Sequence, residues 1–175
     1  PIDGTRGFIC GLPTWGTLVG LTRHGLPVHG MMNQPHVGER FMGDGKTATL
    51  VSAGGKRRLA ARRCESLGDA FLATTSPRII KEKAGEAYDR LESKCRLARY
   101  GTDCYAYALL AAGQIDLVCE TGLQDYDIVP LIPIIEGAGG IVTTWSGDSA
   151  AKGGSIIAAG DHRMHEAALK ILSDG

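Results

Sequence analysis

Net charge is missing from this 175-residue chain, in which 19 Lys and Arg balance 19 Asp and Glu. A chain without a dominant sign is not built as a general nucleic-acid or anionic-membrane binder. Long apolar runs are missing too: none approaches the roughly 20 residues that a membrane-spanning helix needs. The five cysteines, Cys10, Cys64, Cys95, Cys104 and Cys119, are odd in number and form no C-x-x-C pair. That argues against a disulfide framework or a zinc site and for buried thiols in a reducing cytoplasm. Internal repeats and low-complexity linkers are also lacking, so the length fits one domain over 1–175. The 25 glycines are spread among apolar runs, and disorder is not expected.

What is there reads as two halves. From Trp15 to Ser52, short apolar or alternating runs (17–21, 28–32, 39–42 and 47–51) are broken by turn signals such as Gly43-Asp44-Gly45. This predicts an antiparallel meander of about four strands. The basic stretch Arg57 to Arg63 suits a further edge strand, a loop or a solvated face. Beyond it the pattern alternates. Strands are predicted at 70–74, 96–100, 115–119 (closed by Glu120), 141–144 and 155–159. Helices are predicted from Ile79 to Cys95, from Cys104 to Ala112 capped by Asp103, and after Asp161 as an N-cap. A further apolar helix spans Tyr126 to Ala138, where Pro133 demands a kink or a late start. The sum is a layered α/β or α+β domain.

Chemistry points to acidic residues at the edges of apolar elements. Asp3-Gly4-Thr5 suits either a plain tight turn or a loop whose carboxylate faces a cation while backbone N–H groups face an anion. Asp127 opens an apolar helix, as a metal ligand or simply as its N-cap. Glu120 ends a strand, and Arg99 and Asp103 flank a strand-to-helix turn. Hard cations such as Mg²⁺ take one or two carboxylates, with water and substrate phosphate completing the shell.

Two stretches carry a family resemblance. Pro1-Ile2-Asp3-Gly4-Thr5-Arg6-Gly7-Phe8 resembles the D-P-I-D-G-T-x-x-F signature of the inositol monophosphatase family, without its first Asp. Tyr126-Asp127 through Glu136-Gly137-Ala138-Gly139-Gly140 resembles the second signature, with Tyr for Trp and Gly137 inserted. Leu72-Ala73-Thr74-Thr75-Ser76-Pro77 and Arg99-Tyr100-Gly101-Thr102-Asp103-Cys104-Tyr105-Ala106-Tyr107 are similar to the histidinol-phosphatase branch. The resemblance covers the whole chain. It implies the layered sandwich of sugar phosphatases, with the N-terminal third of a full-length member, including its water-activating Glu, upstream of Pro1.

The resemblance further implies a Mg²⁺-dependent phosphomonoester hydrolase acting on a small phosphorylated substrate, L-histidinol phosphate first and an inositol or sugar phosphate second. Asp3, Asp127 and the Ile2 carbonyl would bind Mg²⁺. Gly4 and Thr5 would hold phosphate through N–H groups, with the Thr5 hydroxyl orienting the attacking water. Arg6 or Arg99 would face the phosphate, and Glu120 would contact the substrate. Asp103 would meet the cationic amine of histidinol phosphate as a charge-assisted partner. Related enzymes are commonly homodimers, so a homodimer is expected, in the cytoplasm that the cysteines suggest. A non-catalytic relative acting as a scaffold is the alternative of another class.

Other chemistries fit less well. The D-x-D-G-T element of haloacid dehalogenase phosphatases would need its nucleophile where Pro1 stands. His162 and His165, near Glu166, are expected at the surface with no ligand role, and His24, His29 and His36 have no partner spacing. Trp15 and Trp145 read as core or rim aromatics. No cysteine has a local His or anion nest to make it a nucleophile.

Overall fold

The computed structural model describes residues 2–173, apart from the side chains of 81–83; the Pro1 of the opening signature lies outside the described residues. The first half is an antiparallel sheet in chain order: β1 (Ile2–Asp3), β2 (Gly16–Arg23), β3 (Leu26–Gln34), β4 (Glu39–Gly43), β5 (Ala48–Ser52) and β6 (Gly55–Arg58). A short helix, α1 (Thr5–Ile9), lies between β1 and β2. The predicted meander is therefore longer at both ends. Ile2 pairs with Thr17, which seats the opening motif on the sheet edge. Of the basic stretch, Arg57 and Arg58 lie in the edge strand β6, and the chain leaves the sheet after them.

The second half mixes helices with a five-stranded sheet. In chain order it contains β7 (Phe71–Thr74), α2 (Pro77–Glu92), β8 (Leu97–Tyr100), α3 (Asp103–Ala111) and β9 (Leu117–Leu123). It continues with α4 (Asp125–Ile128), α5 (Ile132–Gly137), β10 (Ile141–Thr144), β11 (Gly154–Ala159) and α6 (His162–Ser173). The strand order is β10-β11-β9-β7-β8, with β8 and β9 parallel to β7. Side chains alternate across a strand, and β9 and β11 use both faces. Val118, Ile156 and Ala158 join a core with α3, α5 and the first sheet. Leu117, Cys119, Ile157 and Ala159 join a second core beneath α2 and α6. Such doubly buried strands read as unbroken apolar runs.

The late start that Pro133 demanded is present: the stretch from Tyr126 to Ala138 holds two short helices, and Pro133 sits in the first turn of α5, where its missing N–H costs nothing. Four other expectations need correction. The helix expected to reach Cys95 ends at Glu92 and is interrupted at Ala84. Glu120 does not close its strand, which pairs with β11 as far as Leu123. His165 is buried, not superficial, and its Nε2 lies 2.8 Å from the Thr143 hydroxyl. Of the thiols, Cys64, Cys104 and Cys119 are buried as expected, whereas Cys10 is exposed. The Asp161 cap is present: its carboxylate accepts the Arg163 N–H at 2.9 Å.

How α5 meets the first sheet fixes the distance between layers. A β-carbon on Gly30 would fall far inside contact with the Pro130 carbonyl, and one on Gly43 would strike Pro133 and Ile134. On Gly20 it would come within 2.9 Å of Val129. Bare backbone on β2, β3 and β4 thus lets the α4–α5 segment lie directly on the sheet.

Candidate active site

Strands β7, β8 and β9 run parallel, so their carboxyl ends open on one side of the sheet, where ligand sites of open α/β sheets gather. Each end delivers a polar group. Thr75 follows β7, Asp103 starts α3 after β8, and Glu120 lies on β9. Asp127, in α4 just after β9, and Asp3, from the edge of the other sheet, complete the ring. Asp3, Thr75, Asp103, Cys104, Tyr107, Glu120 and Asp127 line one cavity of about 30 Å³.

Each acid is held differently. Asp3 Oδ2 accepts the Cys104 N–H at 2.9 Å. It thereby supplies the side-chain cap of α3 from a remote part of the chain, and Asp103 is not the cap that its position suggested. Asp103 instead stands in the left-handed region at φ 44°, a conformation that Asp tolerates better than most residues. Gly4 makes room for it: at φ 78° it is itself left-handed, and a β-carbon there would lie 3.3 Å from that of Asp103 and 3.0 Å from Trp15 Cα. Asp127 sits one turn inside α4, so it is not an N-cap; its Oδ2 accepts the Gln124 N–H at 2.8 Å in a reciprocal capping box. Glu120 is buried, and its Oε1 accepts the Thr75 N–H at 2.5 Å.

This crowding shifts proton affinities. Burial, then the charge of Asp3, pushes Asp103 up to about 6, against the pull of Arg6. Burial pushes Glu120 up to about 7, opposed by the Thr75 N–H. Asp127 is raised by burial and by Asp3, against the Gln124 N–H. A raised carboxyl contributes stability that is full below its unfolded pKa and lost as pH rises through its folded value. For metal-free protein, Glu120→Gln is therefore expected to match the parent melting temperature near pH 4. At pH 8 it should melt several degrees higher, because the parent must hold a buried charge at a cost on the order of 3 kcal/mol. Equal melting temperatures at pH 8, read by calorimetry in a chelator, would show that the burial of Glu120 is not costly.

The remaining expected residues lie around the rim. Thr5 and Arg6 are exposed at the start of α1, and Ile2 is exposed on β1. Arg6 acts on Asp103 by charge, whereas Arg99 is exposed on β8. Thr75, Cys104 and Tyr107 were not singled out as site residues from sequence; all three lie in the motif stretches but carry no charge to mark them. For a divalent cation, the donors suit a hard ion, since Asp3 and Asp127 offer oxygen and repel each other until a cation neutralises them. Among the described residues no group of three or more such side chains is placed to hold a metal, so the pair would rely on water and phosphate for the rest. No helix among them is long and apolar enough to cross a membrane.

Comparison with known proteins agrees with this arrangement. The chain is 42% identical over 181 residues to the bifunctional phosphatase IMPL2, chloroplastic, of Arabidopsis thaliana, covering 98% of this chain and 51% of that one. It is 25% identical to the histidinol-phosphatase of Chlorobaculum parvum, covering all of this chain and 67% of that protein. Its fold superposes on an inositol monophosphatase from Zymomonas mobilis with a TM-score of 0.92 at 42% identity, over 99% of this chain and 68% of that one. The chain thus spans about half the length of the first relative and two thirds of the others. The model of the inositol monophosphatase family matches residues 1–174, and the chain belongs to that family.

Proposed function

We propose that this chain carries most of the active site of a Mg²⁺-dependent phosphomonoesterase whose substrate is L-histidinol phosphate. The observation that carries this reading is that Asp3 and Asp127, remote in sequence, line one cavity with Asp103 and Glu120. Asp3, Asp127 and the Ile2 carbonyl would hold Mg²⁺, which when bound supplies positive charge to the phosphoryl oxygens and makes a neighbouring water more acidic. The N–H groups of Gly4 and Thr5, at the opening of α1 where helix geometry leaves them unpaired, would take the phosphate. The Thr5 hydroxyl would orient the attacking water. Arg6 stands beside Asp103 at this rim, and Arg99 would come to the phosphate only by reaching in from β8. Asp103 and Glu120 would receive the leaving alcohol, the first facing its ammonium. The free thiols suit a reducing compartment such as the cytoplasm, and a homodimer belongs to the same proposal.

The names of its relatives divide. The Chlorobaculum protein is a histidinol-phosphatase, and the Zymomonas structure favours a second reading, an inositol or sugar phosphate. The deciding experiment is phosphate release by the whole protein from both esters, with Mg²⁺ and then with chelator. Asp103→Asn keeps a side chain that tolerates the left-handed backbone while removing the charge. It is expected to lower kcat/KM for histidinol phosphate by roughly tenfold to a hundredfold, as for loss of a charged hydrogen bond. Inositol 1-phosphate should lose far less, and equal losses on both would sink the role given to Asp103.

A further inference from the structure

Tyr107 is the unexplained polar group of the cavity. It is 3% exposed, and its phenol oxygen has no hydrogen-bond partner, although the residue lines the cavity and feels the charges of Glu120, Asp3 and Asp127. An unpaired buried hydroxyl weakens a fold, and each such case in a native protein calls for a reason. The chemistry of its neighbours supplies one. Ionised, Asp3, Asp103, Glu120 and Asp127 can only accept hydrogen bonds, whereas a phenol both donates and accepts. Burial keeps it protonated, because it pushes the phenol well above its ordinary value. A cavity of about 30 Å³ has room for at least one water-sized polar group, since about 10–15 Å³ is enough to seat a water.

We propose that Tyr107 is a specificity-determining residue whose phenol hydrogen-bonds one small polar group, an ammonium or hydroxyl, that the leaving alcohol inserts among Glu120, Asp103 and Asp3. An ammonium gives its protons to the acids and to the phenol oxygen. A hydroxyl gives its proton to an acid and takes one from the phenol, which no ionised carboxylate can offer. This rests on the phosphatase reading above and adds a residue to the leaving-group side.

The test is Tyr107→Phe in the whole protein, which removes one oxygen and keeps the ring. The melting temperature should hold or rise, since the lost hydroxyl had no partner. The KM of histidinol phosphate relative to that of p-nitrophenyl phosphate, whose leaving group carries neither amine nor hydroxyl substituent, should rise about tenfold, with kcat within about twofold. An unchanged KM ratio overturns the proposal. So does a fall in melting temperature with equal losses on both esters, which would make Tyr107 a packing residue. Calorimetric titration of L-histidinol, with Mg²⁺ and inorganic phosphate present, reads the same contact without turnover. If a parent that releases no phosphate binds L-histidinol and Tyr107→Phe binds it about tenfold more weakly, hydrolysis is refuted and the Tyr107 contact stands. If parent and variant bind it equally, or neither binds it, the contact is refuted.

Discussion

Asp127→Asn is expected to reduce Mg²⁺-dependent phosphate release by a hundredfold or more while leaving the melting temperature within a degree or two. The two effects separate because Asp127 is engaged in two ways. Its Oδ2 accepts the Gln124 N–H, and an amide oxygen can accept that bond equally well, so the capping box and α4 survive. What Asn cannot supply is the negative charge that would bind a hard cation opposite Asp3. In that role, removal of the charge would withdraw several kcal/mol of transition-state stabilisation, each about 1.4 kcal/mol being tenfold in rate. Phosphate release at saturating Mg²⁺, with a thermal melt on the same sample, checks both halves. Undiminished activity would leave Asp127 as a helix-capping residue only. Loss of activity with a collapsed melt would mean that α4 had not tolerated the change, and Asp127→Glu would then be the informative partner.

Gly30→Ala is the substitution expected to do most damage to the fold. The added methyl has nowhere to go: it would overlap the Pro130 carbonyl, which is backbone on a proline-stiffened segment and cannot rotate away. Overpacking of a close core contact costs about 1–3 kcal/mol and more where neighbours cannot shift. For a chain of this size about 3 kcal/mol corresponds to a fall in melting temperature of roughly 6–12 °C. Gly25→Ala, at an open turn where no atom lies within 4 Å of the added carbon, pays only the left-handed backbone at φ 79° and serves as the control. Equal melting temperatures for parent and Gly30→Ala would show that the α4–α5 segment floats above the sheet.

The first half of the fold was legible because its information is local. Alternating residues bounded by Gly-containing turns gave the central strands β2 to β5; β6 was one of the readings open for the basic stretch and β1 escaped, both being short edge strands with little pattern to read. In the apolar stretch from Tyr126 the periodicity continues across Pro130 and Pro133, and only the prolines announced that a helix starts afresh, at Ile132. Glu120 could not be placed from its neighbours, since β9 continues past it to satisfy a partner strand far along the chain. The family resemblance named Asp3, Asp103, Glu120 and Asp127, and these four line one cavity. The resemblance could not reveal that Asp3 caps α3, because that bond joins residues a hundred positions apart. Tyr107 was invisible for another reason: an aromatic residue in an apolar helix is indistinguishable from packing until its hydroxyl is seen to lack a partner.

The bond from Asp3 Oδ2 to the Cys104 N–H mechanically yokes two tasks that chemistry would keep separate. The carboxylate proposed to grip the cation is fastened to the residue next to Asp103, so a tilt of α3 that widens room for a bulkier alcohol also drags the cation's anchor. Re-tailoring the leaving-group side by moving this helix would disturb the phosphate side in the same stroke, whereas exchanging side chains on a stationary α3 would leave it undisturbed.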